Sequence, residues 1–359
     1  MQTARQTFRW GIWGTGDIAA KFAADLRHVD GAVLHSVCSR DQSKAQLFAD
    51  RHGIANAVGD PSGDGERFLA DPNLDTIYIA SPHIVHVEQA VAAARAGKHA
   101  LIEKPVAMTA AGAREIASAA QTAGAFVMEA MWTRFLPAVQ KARDILQSGA
   151  LGAPVRAEAT IHFHRPFDPA HRLFDPALGG GVLLDLGVYP LSVAQFLLGD
   201  LSLKKARWSP APTGVDATAR AELDAGGVPF SFGAGFWPSV REEGDNSFAI
   251  YCENGALRVD RHFLRADRLS VWHQARSQLR SMEGGRVARV VAKLLDRPHT
   301  VHDFPRETTG LNYQATAVQD AIVRAQTSHA DMPMAASANV LAMIDAIRSQ
   351  APGDDGPYR

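Results

Sequence analysis

Residues 11–22 read "GIWGTGDIAAKF". Inside that stretch, Gly14-Thr15-Gly16-Asp17-Ile18-Ala19 has the form G-x-G-x-x-A. It sits between a strand-like run, "RWGIWG" at 9–14, and a helical pattern over 17–27. Each small residue has a reason to be there. Gly14 permits the tight turn, Gly16 lets the backbone come close to a pyrophosphate, and Ala19 lets the helix pack on the strand. The helix start then offers unpaired N–H groups and the positive end of its dipole to phosphates. Such a motif alone is weak. Placed after a strand and before a helix, it reads as a dinucleotide loop.

Working outward, the first third keeps the same rhythm. "AVLHSVCS" (32–39) is a strand, followed by a helix opened by Asp41 and closed by Gly53. "TIYIAS" (76–81) is a buried strand, and a helix runs from about His86 to Ala96. "HALI" (99–102), a helix over 109–123 and "FVME" (126–129) complete the series. Strands alternating with helices predict a parallel, doubly wound sheet, a Rossmann domain over residues 1–130. After Met131 the pattern changes. A helix over 137–148 is followed by strand-like stretches at 154–164, 202–209, 216–224, 229–236, 247–252 and 256–260, with a helix over 181–198 between them and "ENG" (253–255) as a tight turn. This predicts an α+β domain over 131–359 with an open, mainly antiparallel sheet, closed by helices over 311–327 and 335–349. Residues 274–297 read as a basic helix, and "PGDDGPYR" as a loose tail.

With 359 residues, 46% hydrophobic and 21% charged, the chain has the size and composition of two globular domains. A formal net charge of −1 gives no global field toward nucleic acid or a membrane surface. No uninterrupted apolar run approaches the ~20 residues of a membrane helix. Two cysteines, Cys38 and Cys252, make neither a disulfide framework nor a metal cluster, and the first residues carry no apolar signal core. The expectation is a cytoplasmic protein without a metal, without a nucleic-acid partner and without a membrane.

The end of the second strand bears on which dinucleotide is bound. An NAD site usually places an acid there. This chain has Ser39-Arg40, with Asp41 only afterwards. A hydroxyl and a guanidinium suit a 2′-phosphate, so NADP is expected in preference to NAD. Asp41 then either caps the helix or turns toward the ribose. Ser81, Pro82 and His83 follow the strand at 76–81, where open α/β sheets bind ligands. His83 and His86 are candidate cofactor contacts or ordinary helix-start histidines.

"LIEKPVAM" (101–108) raises a separate question. A carboxylate, an ammonium and a proline stand at the end of a buried strand, where charge is costly unless something offsets its desolvation. Together with "GGGVLLDLGVYPL" (179–191), it makes the chain resemble the glucose-fructose oxidoreductase and inositol dehydrogenase family, Gfo/Idh/MocA. Tyr189, where many relatives have histidine, and "EAMWTRFLP" (129–137) are similar to the dihydrodiol dehydrogenase and D-xylose dehydrogenase branch, which uses NADP. The resemblance implies a hydride transfer between NADP and a CH–OH/C=O group of a sugar, cyclic diol or related small polyol. It also implies a homo-oligomer, a dimer or higher, formed through the open sheet.

Residue by residue, the resemblance makes Lys104 the EKP lysine, Asp185 the aspartate of the glycine-rich segment, and Tyr189 its aromatic partner. These three are the catalytic candidates. An unperturbed tyrosine has a pKa near ~10, which a nearby ammonium lowers. The proton-transfer group is therefore Tyr189 with Lys104 beside it, or Lys104 itself. Asp185 would orient the substrate hydroxyl or Lys104. Pro105 invites a cis peptide. Glu103 would anchor the corner, by contact with the nicotinamide ribose or Lys104. Arg134 is a candidate cofactor contact; Trp132, Phe163 and Arg172 are candidate substrate contacts. A non-catalytic dinucleotide-binding regulator on the same fold is the alternative.

Overall fold

A computed structural model describes residues 7–238, 246–260, 263–273, 300–353 and 356–358. The basic helix expected over 274–297 lies outside the described residues. Contacts divide the chain into two compact units: residues 1–135, 175–180 and 306–345, and residues 136–174, 181–305 and 346–359. The sequence reading put everything after residue 130 into one second domain; contacts instead group 306–345 with the first 135 residues.

The first unit is built on six parallel strands: β1 (Phe8–Trp13), β2 (Ala32–Ser39), β3 (Asn56–Gly59), β4 (Thr76–Ile79), β5 (His99–Glu103) and β6 (Val127–Ala130). Their order is β3-β2-β1-β4-β5-β6, the doubly wound arrangement whose direction of winding reverses between β1 and β4. β4 is buried at every position, which fits its largely apolar sequence, Thr76 apart. Helices α1 (Asp17–Leu26), α2 (Gln42–His52), α3 (Glu66–Leu69), α4 (His86–Arg95) and α5 (Ala110–Ala123) connect the strands. Asp41 opens α2 by accepting the Ser43 and Lys44 amides at 2.8 and 3.1 Å. The short β3 and α3 escaped the sequence reading, because four residues carry too little periodicity to register.

Asp25 explains why a C-terminal segment belongs to this unit. Only 3% exposed, its carboxylate accepts the amides of Thr309, Gly310 and Leu311 (3.1, 3.0 and 2.8 Å) and the Thr309 hydroxyl (2.7 Å). It thereby satisfies the open N-terminus of α8 (Leu311–Val323). Further along α8, Gln319 accepts the Trp10 indole N–H and donates to the Asp30 carbonyl. The last helix, α9 (Met334–Arg348), belongs to this unit as far as Asp345.

The second unit holds α6 (Pro137–Gln147), β7 (Pro154–His164), α7 (Val188–Leu198), β8 (Leu201–Pro210), β9 (Asp216–Ala225), β10 (Val228–Trp237), β11 (Ser247–Cys252), β12 (Gly255–Asp260), β13 (Arg268–Trp272) and β14 (Thr300–Asp303). The eight strands form one sheet, β14-β13-β12-β11-β7-β10-β9-β8, antiparallel throughout except for β7 beside β10. Alternation along β7 buries Ala157, Ala159 and Ile161 and leaves Glu158, Thr160 and His162 half-exposed. Helix α7 packs against β7, β9 and β10. The helical run Pro176–Leu198 is long and apolar enough to span a membrane by length and composition, but 78% of its apolar window is buried inside the protein. That is the pattern of a core helix. The tail is not loose where it is described: the Gly353 amide donates to the Trp208 carbonyl, and the Tyr358 hydroxyl donates to the Arg165 carbonyl.

Candidate active site

The glycine loop leaves β1 as its sequence requires. Gly14 has φ +121°, and a Cβ there would meet the Ala80 carbonyl oxygen at 2.6 Å. The loop is thus pressed against the end of β4, and only glycine fits. Gly16 is the opposite case: a Cβ there would meet nothing within 4 Å. It is the cap residue of α1, whose first turn has no side-chain cap. Thr15 and Ile18 are half-buried beside it, and Asp17 is exposed. A close backbone turn, open space and an uncapped helix start together fit a pyrophosphate. At the end of β2, Ser39 is half-buried and Arg40 exposed, while the Asp41 carboxylate serves as the α2 cap.

Ser81, Pro82 and His83 follow β4 directly. The Ser81 hydroxyl donates to Gln89, Pro82 is exposed, and His83 Nε2 lies 3.2 Å from the Gly179 carbonyl. His86 is 1% exposed, with Nδ1 at 3.0 Å from the Pro105 carbonyl and Nε2 at 2.9 Å from the Ser81 carbonyl. Burial, the larger effect, pushes its pKa down to about 4 against the pull of those carbonyls. The ring is neutral at pH 7, and its nitrogens face backbone on both sides.

The corner after β5 answers the question raised by "LIEKPVAM". The Lys104–Pro105 peptide is cis. Glu103, 7% exposed, accepts the Tyr78 hydroxyl on Oε1 and the Lys104 amide on Oε2 (3.1 Å). Burial pushes its pKa up to about 7; the Tyr78 hydroxyl and the Lys104 charge pull the other way, and Glu129 adds to the rise. Glu129, on the neighbouring β6 and 3% exposed, accepts the Val106 amide at 2.9 Å. Burial raises it too, opposed by Ser337, the Val106 amide and the charges of Arg134 and Lys104. Glu103 therefore anchors the corner. Tyr78 and Glu129 were missed from sequence, although a glutamate ending the buried strand "FVME" is the same anomaly as Glu103.

In the second unit, residues Leu183–Gly187 form a wide π-helical turn that runs into α7, and this turn carries Asp185. Such turns recur at functional sites. Gly181 has φ +120°, and a Cβ there would meet the Asp216 carboxylate at 2.4 Å. The approach has a purpose: Asp216, 1% exposed, accepts the Leu183 amide at 2.6 Å and so caps the turn. Arg348 forks onto it through Nε (2.8 Å) and Nη2 (2.5 Å). Burial pushes Asp216 upward and the guanidinium opposes this. Asp185 is half-buried and lies 3.4 Å from Arg172 Nη2; Tyr189 is 6% exposed at the start of α7.

The weaker candidates separate. Arg134 is 2% exposed, and its Nη1 donates to the Asp331 carbonyl; burial pushes its pKa down to about 10. Trp132 is half-buried in the same short helical turn. Phe163 is half-buried on β7 opposite Phe236. Among the described residues no group of three His, Cys, Asp or Glu is placed to hold a metal ion.

Two family models match the chain. Residues 8–131 fit an oxidoreductase family described by its NAD-binding Rossmann fold, and residues 139–258 fit the GFO/IDH/MocA C-terminal domain. The chain belongs to the GFO/IDH/MocA family. Among family relatives, a trans-1,2-dihydrobenzene-1,2-diol dehydrogenase of Bos taurus is 38% identical over 62% of this chain and 67% of its own length. A D-xylose 1-dehydrogenase (NADP(+)) of Hypocrea jecorina is 36% identical over 52% of each chain. A 3-ketoreductase from Actinomadura kijaniata, solved with NADP and TDP-benzene, has a TM-score of 0.77 over 97% of this chain and 98% of its own, at 22% identity. That last likeness is one of fold.

Proposed function

We propose that the chain is an NADP-dependent oxidoreductase that moves a hydride between the nicotinamide and a CH–OH/C=O group of a sugar, cyclic diol or small polyol. One observation carries the reading. The glycine loop, the Ser81–His86 segment and the Lys104 corner leave adjacent strands β1, β4 and β5 at their carboxyl ends, at the reversal of strand order. Ligands of doubly wound sheets bind there. The dihydrodiol and D-xylose dehydrogenase relatives support the substrate class, and the NADP named for the latter supports the cofactor.

The cofactor supplies the hydride chemistry. The uncapped α1 start and Gly14–Ile18 would hold its pyrophosphate. Ser39 and Arg40 would hold the 2′-phosphate, and the engagement of Asp41 as a helix cap supports that choice over a ribose diol. Lys104 and Tyr189 are the groups assigned to the hydroxyl proton. Lys104 presents an ammonium that would stabilise an alkoxide; Asp185 would orient the hydroxyl. Trp132, Phe163 and Arg172 are assigned to the substrate, and Glu103 to the corner. A groove of about 540 Å³ on the eight-stranded sheet, where Ala159, Ala221 and Phe232 lie among Glu158, Arg207 and Arg220, supports a homo-oligomer, a dimer or higher, formed through the open sheet. Free, buried Cys38 and Cys252 are compatible with a cytoplasmic protein.

The test is turnover of NADP and NAD with a panel of aldoses, cyclic trans-diols and dicarbonyl-derived sugars. Activity should favour NADP, and Lys104→Met should lower kcat by roughly 10²–10⁴-fold. Tight NADPH binding without turnover of any panel member would favour the non-catalytic regulator instead.

A further inference from the structure

The corner that carries Lys104 is held from beneath by groups that the reaction itself does not require. Pro105 has no N–H, so residues 104–106 offer two backbone donors, and each ends on a buried carboxylate: Lys104 N on Glu103, Val106 N on Glu129. The two carboxylates come from neighbouring strands, paired as Ile102 with Glu129 and Glu103 with Ala130. The Pro105 carbonyl faces His86 Nδ1. We propose that Glu129 is a positioning residue for Lys104, its carboxylate fixing the Val106 amide so that the lysine leaves the sheet in one direction. The proposal rests on the catalytic reading of Lys104.

Two physical points favour this over a purely structural role. A buried amide needs an acceptor, and this one comes from the strand beside the corner, close enough that the Lys104 charge acts on the same carboxyl. Moreover, a small misplacement of a reacting group is costly in rate while leaving the fold intact.

The experiment compares Glu129→Ala, Glu129→Gln and Lys104→Met in the full chain. It reads peptide-resolved hydrogen exchange over residues 101–108, NADP affinity, and kcat and KM separately. Glu129→Ala should speed exchange in that peptide and lower kcat about tenfold or more, with NADP affinity changed by less than about threefold. Glu129→Gln keeps an acceptor oxygen, so it should restore protection and bring kcat within about threefold of the parent. Should Glu129→Ala not fold, Glu129→Gln decides alone: protected exchange with kcat lowered more than about tenfold overturns positioning, because geometry was kept and rate was lost. A folded Glu129→Ala with fast exchange and kcat within about twofold of the parent also overturns it. Lys104→Met separates the two claims. If it stays active, the catalytic reading of Lys104 fails; if it is inactive while Glu129→Ala is active, only the positioning proposal fails.

Discussion

At the Lys104 corner, Glu103 takes one backbone amide and a tyrosine hydroxyl. At the turn that carries Asp185, Asp216 takes one backbone amide and a two-pronged arginine. Both carboxylates are buried, and both hold a segment to which chemistry is assigned. They differ in what happens when a partner is lost. Glu103 can take up a proton and remain hydrogen-bonded, so its charge is optional. Asp216 is pushed upward by burial as well, but Arg348 forks onto it and opposes the rise, and removing the carboxylate takes the acceptor from a half-buried guanidinium and a buried amide together.

The largest effect should therefore fall on the second region. Asp216→Ala leaves the Leu183 amide and the Arg348 guanidinium without their acceptor. It should cost about 3 kcal/mol in denaturant unfolding, toward the low end for broken buried pairs because Arg348 keeps some exposure. Asp216→Asn, which keeps an acceptor for the amide, should cost less. Equal losses for the two would mean that the cap matters little, and would break the contrast.

At the corner, the effect should appear as a pH slope. The Glu103 pKa is raised from 4.5 to about 7 on folding, so its contribution to stability is full below pH 4.5 and is lost as pH rises to about 7. His86 is lowered from 6.5 to about 4, so its contribution is full above pH 6.5 and is lost as pH falls to about 4. The windows overlap with opposite signs. The parent should show a shallow profile through this range from these two groups, with Glu129, also raised by burial, adding on the side of Glu103. Glu103→Gln should unmask the histidine, so its melting temperature relative to the parent rises between pH 4.5 and 7. A difference that stays constant across that range would mean that Glu103 keeps one protonation state throughout.

How far sequence reading reached differs between the same two regions. Local chemistry was legible. The Gly14–Ala19 turn, the Asp41 cap, β2 at 32–39 and β11 at 247–252 all follow from neighbours in the chain, and the cis peptide at Pro105 was an expectation that held. The charge on a buried strand end made Glu103 conspicuous. What did not show was any partner distant in sequence. Asp216 lies 33 residues from the amide it caps and 132 from its arginine, and Asp25 reaches 286 residues to the first amide of α8. Nothing in "GVDATAR" announces those bonds. Four-residue elements such as β3 and β14 escaped for a related reason: the pairing that makes them strands is supplied by another part of the chain.

The smallest effect tests the contrast from inside one segment. Asp185 and Asp216 both flank the start of α7 and both meet an arginine, but Arg172 is 54% exposed and stands 3.4 Å from Asp185 in a single contact. Arg348 is 28% exposed and forks onto Asp216. A solvated guanidinium gains little from a carboxylate, because water and salt screen the attraction and the long side chain must be held still. Arg172→Ala should therefore shift denaturant stability by less than about 0.5 kcal/mol, against about 3 kcal/mol for Asp216→Ala. With the fold intact, any change in KM for a polar substrate then reports Arg172 in its assigned role as a substrate contact. A stability loss above about 2 kcal/mol would show that the exposed pair also holds the turn, and that burial is not what separates the two arginines.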